Sequence, residues 1–128
     1  MKQLLLLCLL LVVPAAAQDG ESIKSRKDLY RLVAEPLLVP LRINRIHSWK
    51  LLLTDSDGQP ITKASLSISG GMPAHDHGLA TSPRIRELDS PGEYLLEGLR
   101  FHMPGEWQLI IEINTGKQMD IVEVQVTL

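Results

Sequence analysis

Residues 118–128 read QMDIVEVQVTL, and from Val122 onward apolar and polar side chains alternate. In an extended chain, Val122, Val124 and Val126 project to one side, and Glu123 and Gln125 to the other. A strand with one buried and one solvated face has this pattern. The C-terminal stretch therefore predicts a half-buried β-strand in an antiparallel sheet.

Similar short segments recur upstream, rich in β-branched and aromatic residues and separated by turn signals such as Gly70-Gly71 and Ser90-Pro91-Gly92. These interruptions are too frequent for helices. The predicted strands are residues 43–46, 49–54, 63–69, 84–88, 94–99, 107–114 and 118–127. About seven strands of this length predict an all-β fold, a β-sandwich.

Three aromatic residues are predicted to be structural. Trp49 and Trp107 each open an apolar strand, so we interpret both as core anchors because large aromatics bury so much area. Tyr94 follows a turn and is expected to fill a corner of the sandwich with its hydroxyl bonded to backbone.

The N-terminus is typical of an exported protein. Lys2 precedes an apolar run from Leu4 to Val13, and Ala15-Ala16-Ala17 follows. This pattern predicts a signal peptide over residues 1–17, because the run is shorter than the ~20 residues that a membrane-spanning helix needs. We expect a flexible leader over residues 18–28 and one β-sandwich domain over residues 29–128.

Composition excludes several classes of function. Cys8, the one cysteine, lies in the predicted signal, so the processed chain offers no disulfide or thiolate chemistry. It keeps 12 of the 13 basic and all 15 acidic residues, a net charge of −3. Because the charges are interspersed, we expect neither nucleic-acid binding nor a polybasic membrane patch. The predicted location is the periplasm or the exterior, with no membrane-spanning segment in the mature form.

Two short segments hold most of the chain's metal-binding potential. Met72, His75 and His77 lie in the first, and His102 and Met103 in the second. Imidazole nitrogen together with thioether sulfur suits copper, and Cu(I) especially, because Met sulfur offers little to Mg²⁺ or Ca²⁺. These five residues are the predicted copper ligands, provided that the two segments meet in space.

Other interpretations of these residues stay open. Zinc would be satisfied by the three histidines with water or Asp76. Met103 is the first choice for a purely structural role, because methionine often fills cores. His47 is expected to hydrogen-bond behind the ligands or to be exposed. In a non-metal interaction module, the two segments would instead form turns that support a docking loop.

Catalysis is not expected. No Gly-x-Ser-x-Gly elbow accompanies the serines and histidines, and no Lys-Ser/Thr follows Gly70-Gly71 as a phosphate loop would require. A zinc-dependent hydrolase would also need a general base, for which the sequence offers no clear candidate.

The segments 70–83, 92–94 and 97–107 together resemble the YtkA-like and FixH-like family of exported domains. The resemblance implies an immunoglobulin-like sandwich and, through FixH-type relatives, a link to the assembly of copper-containing respiratory oxidases. The function expected is that of a periplasmic Cu(I) carrier, chaperone or copper-resistance factor. A copper-accepting protein such as an oxidase subunit would be its partner.

Overall fold

The computed structural model describes residues 20–128, which form two antiparallel β-sheets. The predicted signal peptide lies outside the described residues. The strands are β1 (Ser22–Lys24), β2 (Tyr30–Pro36), β3 (His47–Asp55), β4 (Ser65–Met72), β5 (His77–Gly78), β6 (Arg84–Glu87), β7 (Glu93–Leu99), β8 (Glu106–Asn114) and β9 (Met119–Thr127). A 3₁₀ turn over Pro73–His75 joins β4 to β5. Within this part of the chain, no helix is long and apolar enough to span a membrane.

The strand order confirms the predicted sandwich. One sheet has the order β1-β2-β3-β7-β6 and the other β5-β4-β8-β9. Without the short strands β1 and β5, these orders correspond to the ABED and CFG sheets of an immunoglobulin constant-type domain. The immunoglobulin-like arrangement implied by the family resemblance is therefore present.

The core lies between the sheets and follows the strand alternation. In β3, β8 and β9, every second residue is buried, which is the pattern read from the C-terminal sequence. Trp49 and Trp107 are 4% and 0% exposed, so both are core anchors as predicted. Phe101 packs against Trp107 with ring centroids 5.2 Å apart.

Tyr94 fills a corner of the sandwich as expected. Its hydroxyl donates to the Ile61 carbonyl at 2.9 Å and accepts from the Ala64 N–H at 3.1 Å. Burial raises the pKa of Tyr94; the hydrogen bond from Ala64 opposes this effect, and the Glu87 charge adds to it. The hydroxyl therefore stays neutral and bonds two backbone groups of the connection between β3 and β4.

Six of the seven predicted strands are present, with ends shifted by no more than three residues. The strand predicted over residues 43–46 is wrong. Asn44 adopts a left-handed conformation (φ 60°), and its N–H donates to the Phe101 carbonyl at 2.7 Å, so this segment is a loop. The strand β2 was not predicted; it ends at Pro36, and Pro40 follows in the next loop.

The segment expected to be a flexible leader contributes to the fold where the structure describes it. β1 pairs with β2 in register, Ile23 opposite Leu32, and the Arg26 N–H donates to the Ile121 carbonyl at 2.9 Å. The Asp120 carboxylate then accepts hydrogen bonds from the backbone of Lys27 and Leu29. These contacts fasten a polar segment that has few apolar residues of its own.

Candidate metal site

Three loops meet at one end of the sandwich, and the predicted ligands lie on two of them. The loops are residues 37–46 between β2 and β3, 73–76 between β4 and β5, and 100–105 between β7 and β8. We call this the Met/His end. The antiparallel topology places all three connections on the same side of the domain, so residues distant in the sequence become neighbours.

A tight hairpin displays the first ligand segment. Met72 pairs with His77, and the connection closes through the 3₁₀ turn and Asp76, which is left-handed (φ 52°). Gly71 lies opposite Gly78, and a Cβ on Gly71 would clash with the His77 carbonyl, so close strand approach requires glycine there. Since β5 is a two-residue edge strand, His75 and His77 remain exposed.

His77 is in contact with His102 from the second segment. Their ring centroids are 5.5 Å apart with an interplanar angle of 79°, and the His75 ring lies 6.2 Å from that of His77. Two imidazoles bound to one ion at metal–nitrogen distances of about 2.0 Å have centroids roughly 5–6 Å apart. The two segments therefore converge, and their spacing is compatible with a shared ion.

His102 is half-buried and packs edge-on against Trp107, with ring centroids 5.2 Å apart. Its Nδ1 is buried and has no hydrogen-bond partner among the described residues. A buried nitrogen without a partner costs free energy, so such atoms are uncommon in protein interiors. The indole N–H of Trp107 is satisfied, because it donates to the Met103 carbonyl at 3.1 Å and holds that loop in place.

The two methionines differ in position. Met72 is 1% exposed, because it continues the inward-facing series Leu66, Ile68 and Gly70 of β4. Met103, the first choice for a structural role, is half-buried and packs at the edge of the core. The more deeply buried thioether is thus Met72. As the residue opposite His77 in an antiparallel pair, it projects from the same sheet face as that histidine.

Gly105 leaves room for Met72. A Cβ at position 105 would lie 2.8 Å from the Met72 methyl carbon, and the backbone there has φ 129°. Sequence reasoning gave Gly105 no role in placing Met72. Sequence reasoning also did not predict the contact of Trp107 with His102, because the apolar residues around Trp107 indicated only core packing.

An open groove of about 340 Å³ borders this cluster on the side of the four-stranded sheet, lined in part by Met72, Asp76, His77 and Gln108. Across residues 20–128, no three or more His, Cys, Asp or Glu side chains are grouped so that they could hold a metal ion. Any ion shared by His77 and His102 would therefore depend on the methionine sulfurs or on movement of the exposed His75 ring.

His47 lies at the same end but outside the cluster. It is 6% exposed, its Nδ1 contacts the Arg45 carbonyl at 3.0 Å, and Phe101 packs on its ring. Its Nε2 is buried with no partner among the described residues. His47 is thus neither exposed nor in contact with the other three histidines.

The fold and this cluster define a small immunoglobulin-like domain with a methionine- and histidine-rich end. The chain belongs to the YtkA-like family, whose model matches residues 39–112. A solved structure, the ZirS C-terminal domain, is similar with 14% sequence identity and a TM-score of 0.48, over 91% of this chain and 82% of that one. No curated protein matches the chain.

Proposed function

We propose that this protein binds copper, preferentially Cu(I), at its Met/His end. The observation that supports the proposal is the contact between His77 and His102, which brings together two segments that each also contain a methionine. Two imidazoles with one or two thioethers form a ligand set that suits copper and does not suit hard cations.

The proposed ligands have unequal roles. His77 and His102 form the central pair, and Met72 supplies a thioether from the strand position opposite His77. His75, which is exposed beside His77, and Met103, which follows His102, complete the coordination after small side-chain movements. The unpartnered Nδ1 of His102 gives this ring an unsatisfied nitrogen that an ion or a rearranged neighbour would satisfy.

Copper is proposed ahead of zinc because of the methionines. Zinc takes nitrogen, oxygen and thiolate ligands, so Met72 would contribute nothing to its binding. A thioether also holds Cu(I) in an oxidising compartment without being lost to disulfide formation. Zinc remains the competing ion that the experiment must compare directly.

The proposed protein is an exported copper carrier or resistance factor without catalytic activity. Export follows from the signal-peptide pattern of residues 1–17, and delivery would be to a copper-accepting protein such as an oxidase subunit. Two of the proposed ligands, His75 and His77, are exposed, which suits exchange of the ion with a partner.

An anaerobic titration with Cu(I) against a chromophoric chelator tests the proposal. Wild-type protein is expected to bind one ion. The double variant His77→Ala/His102→Ala is expected to lose at least about 100-fold in affinity, because loss of a ligand should weaken binding more than loss of a residue that only supports a ligand. Met72→Leu should weaken Cu(I) binding and leave Zn²⁺ binding unchanged, since only copper uses the sulfur.

Two matched variants control for unspecific effects. His47→Asn alters the one histidine outside the cluster while keeping an amide donor for the Arg45 carbonyl, and Met119→Leu alters an exposed methionine at the other end of the domain. Both should retain wild-type affinity. Absence of Cu(I) binding above the chelator background would reject the copper function and favour the non-metal assembly module.

A further inference from the structure

One loop carries most of the exposed apolar side chains. Of the five large hydrophobic residues that are well exposed among residues 20–128, four lie in the loop 37–46: Leu37 (59%), Val39 (77%), Ile43 (38%) and Ile46 (69%). Single exposed apolar residues are ordinary, but a concentration in one loop marks an interaction site.

The same loop is cationic. Arg42 and Arg45 are exposed and form no salt bridge with another described residue, and residues 36–50 contain no acidic side chain. The chain as a whole is slightly acidic, so this local excess of positive charge is a property of the loop. An anionic surface is the complementary partner.

The loop is held in one arrangement by the domain beneath it. Leu41 packs against the core, the Leu37 N–H donates to the Ser48 carbonyl at 2.9 Å, and the Asn44 N–H donates to the Phe101 carbonyl. Because these contacts already hold the loop in the free protein, binding costs little conformational entropy of the loop backbone.

We infer that the loop 37–46 docks on an anionic phospholipid surface, with its aliphatic side chains at the acyl boundary and Arg42 and Arg45 at the headgroups. Aliphatic side chains flanked by arginine suit a lipid interface, where Arg keeps its charge among headgroups. A protein partner is less well matched, because the loop offers neither Trp nor Tyr, the aromatic anchors that dominate protein interfaces together with Arg. The docking does not require copper.

Docking in this way has a consequence for the Met/His end. The loop 37–46 is hydrogen-bonded to the segment that carries His102, through Asn44 and Phe101. A domain held by this loop would therefore present its Met/His end near the bilayer. The processed protein would bind the membrane reversibly and peripherally.

Vesicle co-sedimentation of the exported protein tests the inference. Mass spectrometry first determines the N-terminus of the protein used. The vesicles are pure phosphatidylcholine, or equal parts of phosphatidylcholine and phosphatidylglycerol. Wild type should bind the anionic vesicles and bind the neutral ones much more weakly. Arg42→Gln/Arg45→Gln should lower the anionic partition coefficient about 25-fold, at roughly fivefold for each charge. Leu37→Ser/Val39→Ser/Ile46→Ser should lower it at least about tenfold.

Matched variants place the same chemistry elsewhere on the surface. Met119→Ser removes the remaining well-exposed apolar side chain of the described region, and Arg84→Gln/Lys117→Gln removes two exposed positive charges outside the loop. Both should bind like wild type, and circular dichroism should show that every variant is folded. Vesicle binding that the loop variants leave unchanged would overturn the inference. Absence of wild-type binding to anionic vesicles would also overturn it. If analytical ultracentrifugation then shows a dimer that the loop variants abolish, the loop is an interface between two copies of the chain.

Discussion

The two ends of the sandwich differ in whether their buried polar groups have hydrogen-bond partners. At the opposite end, formed by residues 25–29, 56–64, 88–92 and 115–118, the Asp120 carboxylate and the Tyr94 hydroxyl are fully engaged with backbone. At the Met/His end lie all four buried side-chain nitrogens that have no partner within residues 20–128: His47 Nε2, Trp49 Nε1, Arg100 Nε and His102 Nδ1. One end is organised for stability, while the other retains unsatisfied groups of the kind found at binding sites.

The strongest test of this contrast is Asp120→Ala at the opposite end. The carboxylate is 3% exposed and accepts from the backbone N–H groups of Lys27, Leu29 and Ile121. Its removal leaves three part-buried backbone N–H groups without their charged acceptor and should lower the free energy of unfolding by about 3 kcal/mol. Chemical denaturation measures the loss. A loss below about 1 kcal/mol would show that this end is less dependent on its polar contacts than the geometry indicates.

A second test places a methyl group between the two ligand segments. Gly105→Ala should lower the free energy of unfolding by about 2 kcal/mol, because the backbone there favours glycine and the new Cβ would displace the Met72 methyl. Gly116→Ala is the control, since its φ is also positive (82°) but no atom lies within 4 Å of the added Cβ. If both variants lose the same amount, the contact with Met72 contributes nothing.

Removal of an unsatisfied group at the Met/His end should have the opposite sign. His102→Leu replaces a buried, unpartnered nitrogen with an apolar side chain beside Trp107. We expect the metal-free protein to gain about 1 kcal/mol in the free energy of unfolding, while copper binding is lost. Thermal unfolding without metal checks the first effect. Destabilisation would mean that His102 is primarily a packing residue.

The smallest effect concerns acid. Burial acts to raise the pKa of Asp120, but hydrogen bonds from Ser25, Ile121, Lys27 and Leu29 outweigh it, so the pKa of this carboxyl is lowered in the folded state. The resulting stabilisation is fully present above the unfolded pKa of about 4 and declines as the pH falls through the folded value.

The variant Asp120→Asn should therefore show a weaker loss of stability than wild type does as the pH falls below about 4. Urea denaturation at several pH values measures this slope. Parallel pH profiles for Asp120→Asn and wild type would assign the acid sensitivity to other carboxylates.

Local patterns were sufficient for most of the fold, and two of the places where they failed show the reason. The segment 43–46 has strand-like side chains, but its backbone turns at Asn44 and is hydrogen-bonded to Phe101. Because Phe101 lies far along the chain, the local sequence around Asn44 does not reveal this contact. The strand β1 was not expected, because it lies in a mostly polar segment whose position depends on β2 and Asp120. Tertiary contacts overrode local preference in both cases.

The sequence by itself determined the class of the fold and the chemical nature of the candidate site. About seven short alternating strands predict a sandwich, and only a few residue types offer soft metal ligands. The tertiary structure alone decided that His77 meets His102, that Met72 is the buried thioether, and that the loop 37–46 exposes its aliphatic side chains. Those outcomes depend on which strands pair and where their loops lie, and contacts between segments distant in the chain leave no periodic signal within either segment.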